Sequence, residues 1–281
     1  MNQFMTMSKI NSPRAPLAAQ SLMMSHGPHT IIPHLDIELR TGEVTAIVGP
    51  NGCGKSTLLN GLARIHKPRQ GTIVLDGADI HTLPARDVAR KLALLPQDNS
   101  APEGLTVTDL IRFGRHPHQS WLSQWSEDDE RAVRKALRAA DVGDLANRPL
   151  DTLSGGQRQR AWIAMSIAQE TQLLLLDEPT SALDLGHQIE VFELIRALAS
   201  QGKTIAMVVH DLVSACRYAD HIIAMCHGEI VTEGTPSKVI TTNLIAELYG
   251  VACDLMHDPV SGSPILVNIR RVHPAKPAEI T

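Results

Sequence analysis

VTAIVGPNGCGKSTLLNGLARI (Val44–Ile65) is the stretch on which the fold turns. Its first part, Val44 to Gly49, is a short apolar run of the kind that is buried in a sheet. A glycine-rich turn follows, and STLLNGLARI then places its apolar residues at helical spacing. Working outward, TIVLDG (Thr72–Gly77) and KLALLPQ (Lys91–Gln97) are further short apolar strands ending in turn residues. LLLLD (Leu173–Asp177) and TIAMVVH (Thr204–His210) have the near-continuous apolar character of strands covered on both faces. Between them HQIEVFELIRALAS (His187–Ser200) reads as an amphipathic helix closed by Gly202. Strands alternating with helices place the chain in the α/β class, around a mostly parallel sheet.

The segment from Asp98 to Pro149 breaks that alternation. It holds no buried strand, and EDDERAVRKALRAADVG (Glu127–Gly143) is a helix with acids in its first turn and cations later. We read about 98–160 as a helical insertion into the α/β core. Past Thr235, NLIAELYG predicts a helix and two short strand-like runs flank DPVSGS, a C-terminal extension over about 236–271. A single domain thus covers 17–271, between a loose leader at 1–16 and a flexible tail at 272–281.

Two motifs carry the chemistry. GPNGCGKS (Gly49–Ser56) fits G-x-x-x-x-G-K-[ST], and it stands between a strand and a helix, the context such a loop requires. Backbone N–H groups from Gly49, Pro50 onward through Asn51, Gly52, Cys53, Gly54, Lys55, Ser56 and Thr57 would cradle phosphates at a helix N-terminus; proline itself lends only its turn. Lys55 would reach the β- and γ-phosphates of ATP, and the Ser56 hydroxyl would ligate Mg²⁺. LLLLDE (Leu173–Glu178) adds Asp177 at a strand end, placed to hold the Mg²⁺ shell. Glu178 beside it is suited to act as general base on an attacking water.

LSGGQRQRA (Leu153–Ala161) is a capping box, Ser154 with Gln157, but it also carries two glycines in the first helical turn. Each costs about 1 kcal/mol of helix stability relative to Ala. Gly155 and Gly156 make sense if bare N–H groups must approach an anion closely.

Composition narrows the function from the other side. Across 281 residues, 26 Lys+Arg against 30 Asp+Glu leave a formal charge of −4, so no cationic field exists to coat nucleic acid. With 43% hydrophobic and 20% charged residues the chain is globular, and no apolar run reaches the length of a membrane span. The N-terminus lacks a secretory pattern, and Cys53, Cys216, Cys226 and Cys253 show neither CxxC pairing nor zinc spacing, which points to a reducing cytosol. His116, His118, His26 and His29 have no Cys or carboxylate to complete a metal site. Cys53, near a helix start and Lys55, is expected to have a lowered thiol pKa, so that alkylation would block ATP turnover. Phe113, Trp121 and Trp125 cluster in a turn-rich segment; they either fill the core of the insertion or line an apolar docking groove.

LSGGQ after a phosphate loop and before LLLLDEPTSALD resembles the signature motif of ABC-type ATPases. The resemblance implies a RecA-like phosphate-loop core with a helical insertion. It implies that Gln97 contacts Mg²⁺ and senses the γ-phosphate, that Asp184 of SALD lies near a partner subunit, and that His210 touches the γ-phosphate. It places His26 where an aromatic residue usually stacks on adenine. It further implies a head-to-tail pair of identical subunits, with Ser154, Gly155, Gly156 and Gln157 of one facing the nucleotide of the other. GPNGCGKSTLLNGLARIHKPRQGTIVLDG, LSGGQRQRAWIAMSIAQET and HDLVSACRYADHIIAM are similar to the ATP-binding subunits of iron–siderophore importers, nearest the ferric-enterobactin type. That likeness implies a peripheral ATPase on the cytoplasmic face of the cell (inner) membrane, under an integral-membrane permease fed by a siderophore-binding protein. Cobalamin and haem importers share the pattern, and a soluble ABC ATPase acting on nucleic acid or the ribosome is a further alternative.

Overall fold

Val44–Val48, Leu173–Asp177 and Thr204–Val208 are each five residues long and buried at every position. A strand with no polar face must be covered on both sides, so such strands belong in the middle of a sheet. The computed structural model, which describes residues 15–119, 125–181 and 183–271, puts them there. The first 14 residues and the expected tail at 272–281 lie outside the described residues.

The chain runs β1 (Leu17–His26), β2 (His29–Leu39), β3 (Val44–Val48), α1 (Lys55–Leu62), β4 (Gln70–Leu75), β5 (Ala78–Asp79), α2 (Ala85–Ala89) and β6 (Leu92–Leu95). Helices α3 (Val107–Phe113), α4 (Glu127–Ala139) and α5 (Gly155–Ala168) follow with no strand between them among the described residues. Then come β7 (Leu173–Asp177), α6 (Leu185–Ser200), β8 (Thr204–Val208), α7 (Leu212–Tyr218), β9 (His221–Cys226) and β10 (Glu229–Gly234). Short helices α8 (Pro236–Val239) and α9 (Thr242–Tyr249) lead to a closing hairpin of β11 (Val251–His257) and β12 (Pro264–Arg271).

The main sheet has the order β10–β9–β3–β8–β7–β6, parallel throughout except where β10 pairs with β9. Parallel strands bring their C-terminal ends to one edge, where ligands of open α/β sheets bind. The residues that follow β3, β6, β7 and β8 therefore arrive side by side. They include Gly49, Gln97, Glu178 and His210.

A second sheet, β2–β1–β4–β5, is antiparallel throughout and is absent from the sequence reading. The Thr72–Gly77 run belongs here, as β4, and not beside the parallel strands. Register shifts along β1, with Ser21 at φ +49°, interrupt its alternation of buried and exposed residues. Pro33 is tolerated in β2 because an edge strand can spare an N–H. Between the two sheets α1 buries Leu58, Leu59 and Leu62 against Leu17, Leu22 and Ile73. The other face of the main sheet packs on α5 and α6 and, through Val107, Leu110 and Ile111 of α3, on the helical segment.

The three helices of that segment start at capping boxes, Thr106/Asp109, Ser126/Asp129 and Ser154/Gln157, each satisfying two orphan donors. Buried Arg115 ties them to the core. Its guanidinium donates to Asp129 at 2.9 Å, to the Ala168 carbonyl at 2.6 Å and to Glu170 at 2.8 Å. Burial alone would raise the Asp129 pKa, but hydrogen bonds from Arg115 and Ser126 outweigh it and hold the carboxyl below its ordinary range. A lowered folded-state pKa contributes stability above the unfolded value that is lost as pH falls through the folded one. Asp129→Ala removes one of the two carboxylates paired with buried Arg115 and the reciprocal half of the α4 capping box, leaving Glu170 as the remaining carboxylate partner. A loss of about 1–3 kcal/mol is expected, the cost of leaving one buried donor unsatisfied, read as a lower urea midpoint. Among the described residues no helix is long and apolar enough to cross a membrane.

Candidate functional site

Gly49 to Ser56 form a loop that no ordinary residue sequence could close. A Cβ on Gly49 would lie 2.1 Å from the Met225 carbonyl oxygen, and Gly54 has φ +104° at the start of α1. The Lys55 side chain folds back across the loop, its Nζ donating to the carbonyls of Gly49 and Pro50 at 2.9 Å each. The loop thus holds an ammonium at the N-terminus of α1, where helix-start N–H groups and a positive charge together suit phosphate oxygens.

One cavity of about 690 Å³ opens over this loop. It is lined by Asn51, Gly52, Gly54, Lys55, Ser56 and Thr57, by Gln97, Glu178 and His210 from the neighbouring strand ends, and by His26 and Ile31 from the antiparallel sheet. Four segments far apart in sequence, those that follow β3, β6, β7 and β8, thereby meet through the parallel sheet, and the antiparallel sheet adds a fifth. Gly49, Pro50 and Cys53 form the back of the loop instead of lining the cavity.

Glu178 is the hub of the acidic side. Its Oε1 lies 2.5 Å from His210 Nε2, and its Oε2 accepts from Gln97 Nε2 at 2.8 Å. Its backbone is left-handed, φ +50°, where a bulky side chain is strained, and its side chain lines the cavity. Beside it Ser56 donates to Asp177 at 3.0 Å. Burial pushes the Asp177 carboxyl above its ordinary range; the Ser56 hydrogen bond and the Lys55 charge oppose this, and Glu178 adds to it. A buried carboxylate repelled by a second one is short of positive charge. The hydroxyl of Ser56, the Asp177 carboxylate and the amide oxygen of Gln97 are hard oxygen donors, the set that suits Mg²⁺.

Cys53 corrects the sequence reading. The residue is 4% exposed, and desolvation raises its thiol pKa despite the lowering effect of Lys55. Proximity to a helix start and a cation is legible in sequence, whereas burial beneath the loop is not. Cys53 serves the loop by packing and by its carbonyl, which accepts from Gly228 N–H at 3.0 Å.

Ser154, Gly155, Gly156, Gln157 and Asp184 do not line the cavity. The Ser154 hydroxyl accepts from Gln157 N–H at 3.3 Å, and Gln157 Oε1 accepts from Ser154 N–H at 3.2 Å. Asp184 caps α6. Ala182 of the same loop lies outside the described residues.

Ile31 is the cavity residue that sequence reasoning missed. It comes from β2, has no motif around it, and adds an apolar surface beside His26. On the helical segment Phe113 and Trp125 are 47% and 38% exposed, so they do not fill its core. They line a shallow groove of about 340 Å³ with Leu105 and Arg112, whose guanidinium sits 5.2 Å from the Trp125 ring. Trp121 lies outside the described residues.

Residues 32–181 match the family model described as ABC transporter. The chain belongs to the ABC transporter family. It is one of the family's ATPase cassettes. The cassette is 48% identical over 265 residues to the achromobactin transport ATP-binding protein CbrD of Dickeya dadantii (strain 3937), covering 94% of this chain and 98% of that protein. It is 47% identical over 262 residues to the ferric enterobactin transport ATP-binding protein FepC of Escherichia coli (strain K12), covering 93% and 97%. Among solved structures it resembles the dimeric post-hydrolysis state of the ATP-binding cassette MJ0796 bound to ADP and Pi. The TM-score is 0.67 at 26% identity, over 78% of this chain and 98% of that one.

Proposed function

We propose that this cassette hydrolyses ATP to power import of ferric siderophore complexes through a separate membrane permease. The observation that carries the cargo reading is the extent of similarity. The family model stops at residue 181, yet relatives named for achromobactin and ferric enterobactin transport align over 265 and 262 residues. That span takes in the C-terminal region as well as the motifs common to the whole family.

In this reading Lys55 and the loop N–H groups hold the phosphates, and His26 with Ile31 offers a surface for the adenine. Ser56, Asp177 and Gln97 hold Mg²⁺, which supplies charge neutralisation on the phosphates when bound. Glu178 takes a proton from the attacking water, and His210 fixes the Glu178 carboxylate and reaches the γ-phosphate. Two copies close head-to-tail, so that Ser154, Gly155, Gly156, Gln157 and Asp184 of each complete the site of the other. The cassette sits peripherally on the cytoplasmic face of the membrane. A permease helix docks in the Phe113–Trp125 groove, and a siderophore-binding protein delivers cargo from outside.

The Asp177 carboxylate gives a prediction with two signs. Its folded-state pKa is raised, so the native state holds the proton longer and stability declines as pH rises through the shifted range. Asp177→Asn should therefore raise the melting temperature of the nucleotide-free cassette at neutral pH. The same change should lower Mg²⁺-dependent hydrolysis by roughly a hundredfold or more, since metal stabilisation is worth several kcal/mol.

Uptake of radio-iron-labelled siderophores tests the cargo, in cells lacking the gene and complemented with wild type or Lys55→Ala. Loss of uptake for one siderophore class, restored only by wild type, is the expected result. Normal uptake of every iron complex would overturn the iron reading, and cobalamin and haem would be the next cargoes to assay.

A further inference from the structure

Gly156 has an intramolecular neighbour that its motif does not explain. A Cβ built there would lie 2.2 Å from Cδ2, 2.4 Å from Cγ and 2.8 Å from Cβ of His187. The imidazole of α6 therefore occupies the space a side chain on the first turn of α5 would need. The ring is also held from the other side. His187 Nδ1 lies 2.8 Å from Asp184 Oδ1, and His187 N–H donates to the same oxygen at 3.0 Å. These bonds hold the Asp184 carboxyl below its ordinary range. Since Asp184 is acceptor-only when ionised, Nδ1 carries the proton and donates. Leu183 contributes a looser contact on the same seam, with its Cδ2 3.5 Å from a Cβ on Gly155.

We propose that His187 is a positioning residue that locks the start of α5 to the Asp184 loop. The inference rests on the head-to-tail reading above, in which these two segments face the partner's nucleotide. The ring fills the gap left by Gly156 and fixes Asp184 by a hydrogen bond. The Gly155 and Gly156 N–H groups and the Asp184 carboxylate then move as one unit. A second glycine in the turn thus has a reason within one chain: it admits the ring. Free N–H groups at a helix start need their orientation fixed before the partner arrives, because a misplacement of about 1 Å can cost a hundredfold in rate.

The test uses the full-length cassette. His187→Ala should leave binding of a fluorescent ATP analogue to the monomer unchanged, because His187 is remote from the cavity over the phosphate loop. It should lower kcat for hydrolysis by about ten- to a hundredfold. His187→Asn, whose amide can donate to Asp184 from the Nδ1 position, should recover most of that rate. In the His187→Ala background Gly156→Ala should add little, whereas alone it should be as damaging as His187→Ala. A wild-type rate in His187→Ala would overturn the proposal, as would equal and additive losses from the two substitutions. Glu178→Gln serves as reference for the underlying reading. If it dimerises with ATP and does so equally well with His187→Ala added, only the His187 inference fails. If Glu178→Gln never dimerises, the head-to-tail reading fails with it.

Discussion

Glu178→Gln should still bind ATP and should hydrolyse it about 10²- to 10⁴-fold more slowly, the span a positioned general base contributes. The geometry explains why the loss should be confined to chemistry. Glutamine keeps the volume of the side chain, and its amide can still bridge Gln97 and His210, which now hold the two carboxylate oxygens at 2.8 and 2.5 Å. What disappears is the negative charge and the ability to take a proton. Loss of that charge also relieves the repulsion that helps raise the Asp177 pKa, so ATP affinity should be retained or improved. Single-turnover hydrolysis beside equilibrium nucleotide binding separates the two quantities. A variant that hydrolyses at the wild-type rate would remove Glu178 from the role of base.

Lys55→Ala should have the opposite signature, with binding lost first. Lys55 is 5% exposed and its ammonium donates to the Gly49 and Pro50 carbonyls. Phosphate oxygens would compete for it with the much greater attraction of an anion. A charge-assisted hydrogen bond is worth about 1.5–3 kcal/mol, so ATP affinity should fall by roughly ten- to 150-fold. The two carbonyls would also lose the ammonium, the Pro50 carbonyl keeping only the long bond from Cys53 N–H at 3.4 Å, which should lower the melting temperature of the free protein. Titration of a fluorescent ATP analogue reads the first effect and thermal unfolding the second. Unchanged affinity would mean that the loop holds phosphate by its backbone alone.

The parallel core was legible because its strands are buried on both faces, and LLLLD or TIAMVV has no other way to be satisfied. The phosphate loop, Asp177 and Glu178 followed from the same strands, since a motif at a strand end fixes where its side chains can go. The antiparallel sheet was not legible. β1 loses its alternation at Ser21, and β4 reads as TIVL, indistinguishable in sequence from a parallel strand. Ile31 and the His187 contact were hidden for a related reason. Both arise where segments distant in sequence cross, and neither residue belongs to a spacing that announces it. Cys53 shows the limit from the other side. Its charged neighbours are local in sequence, while the burial that outweighs them is set by Gly228 and Met225, more than 170 residues away.

The most direct measurement on the account as a whole is the composition of the particle that Glu178→Gln forms with Mg²⁺ and radiolabelled ATP, by sedimentation equilibrium with bound nucleotide counted. Two chains holding two uncleaved ATP molecules is the predicted result. Chains that remain single while saturated with ATP, or that hold no nucleotide at all, would contradict it.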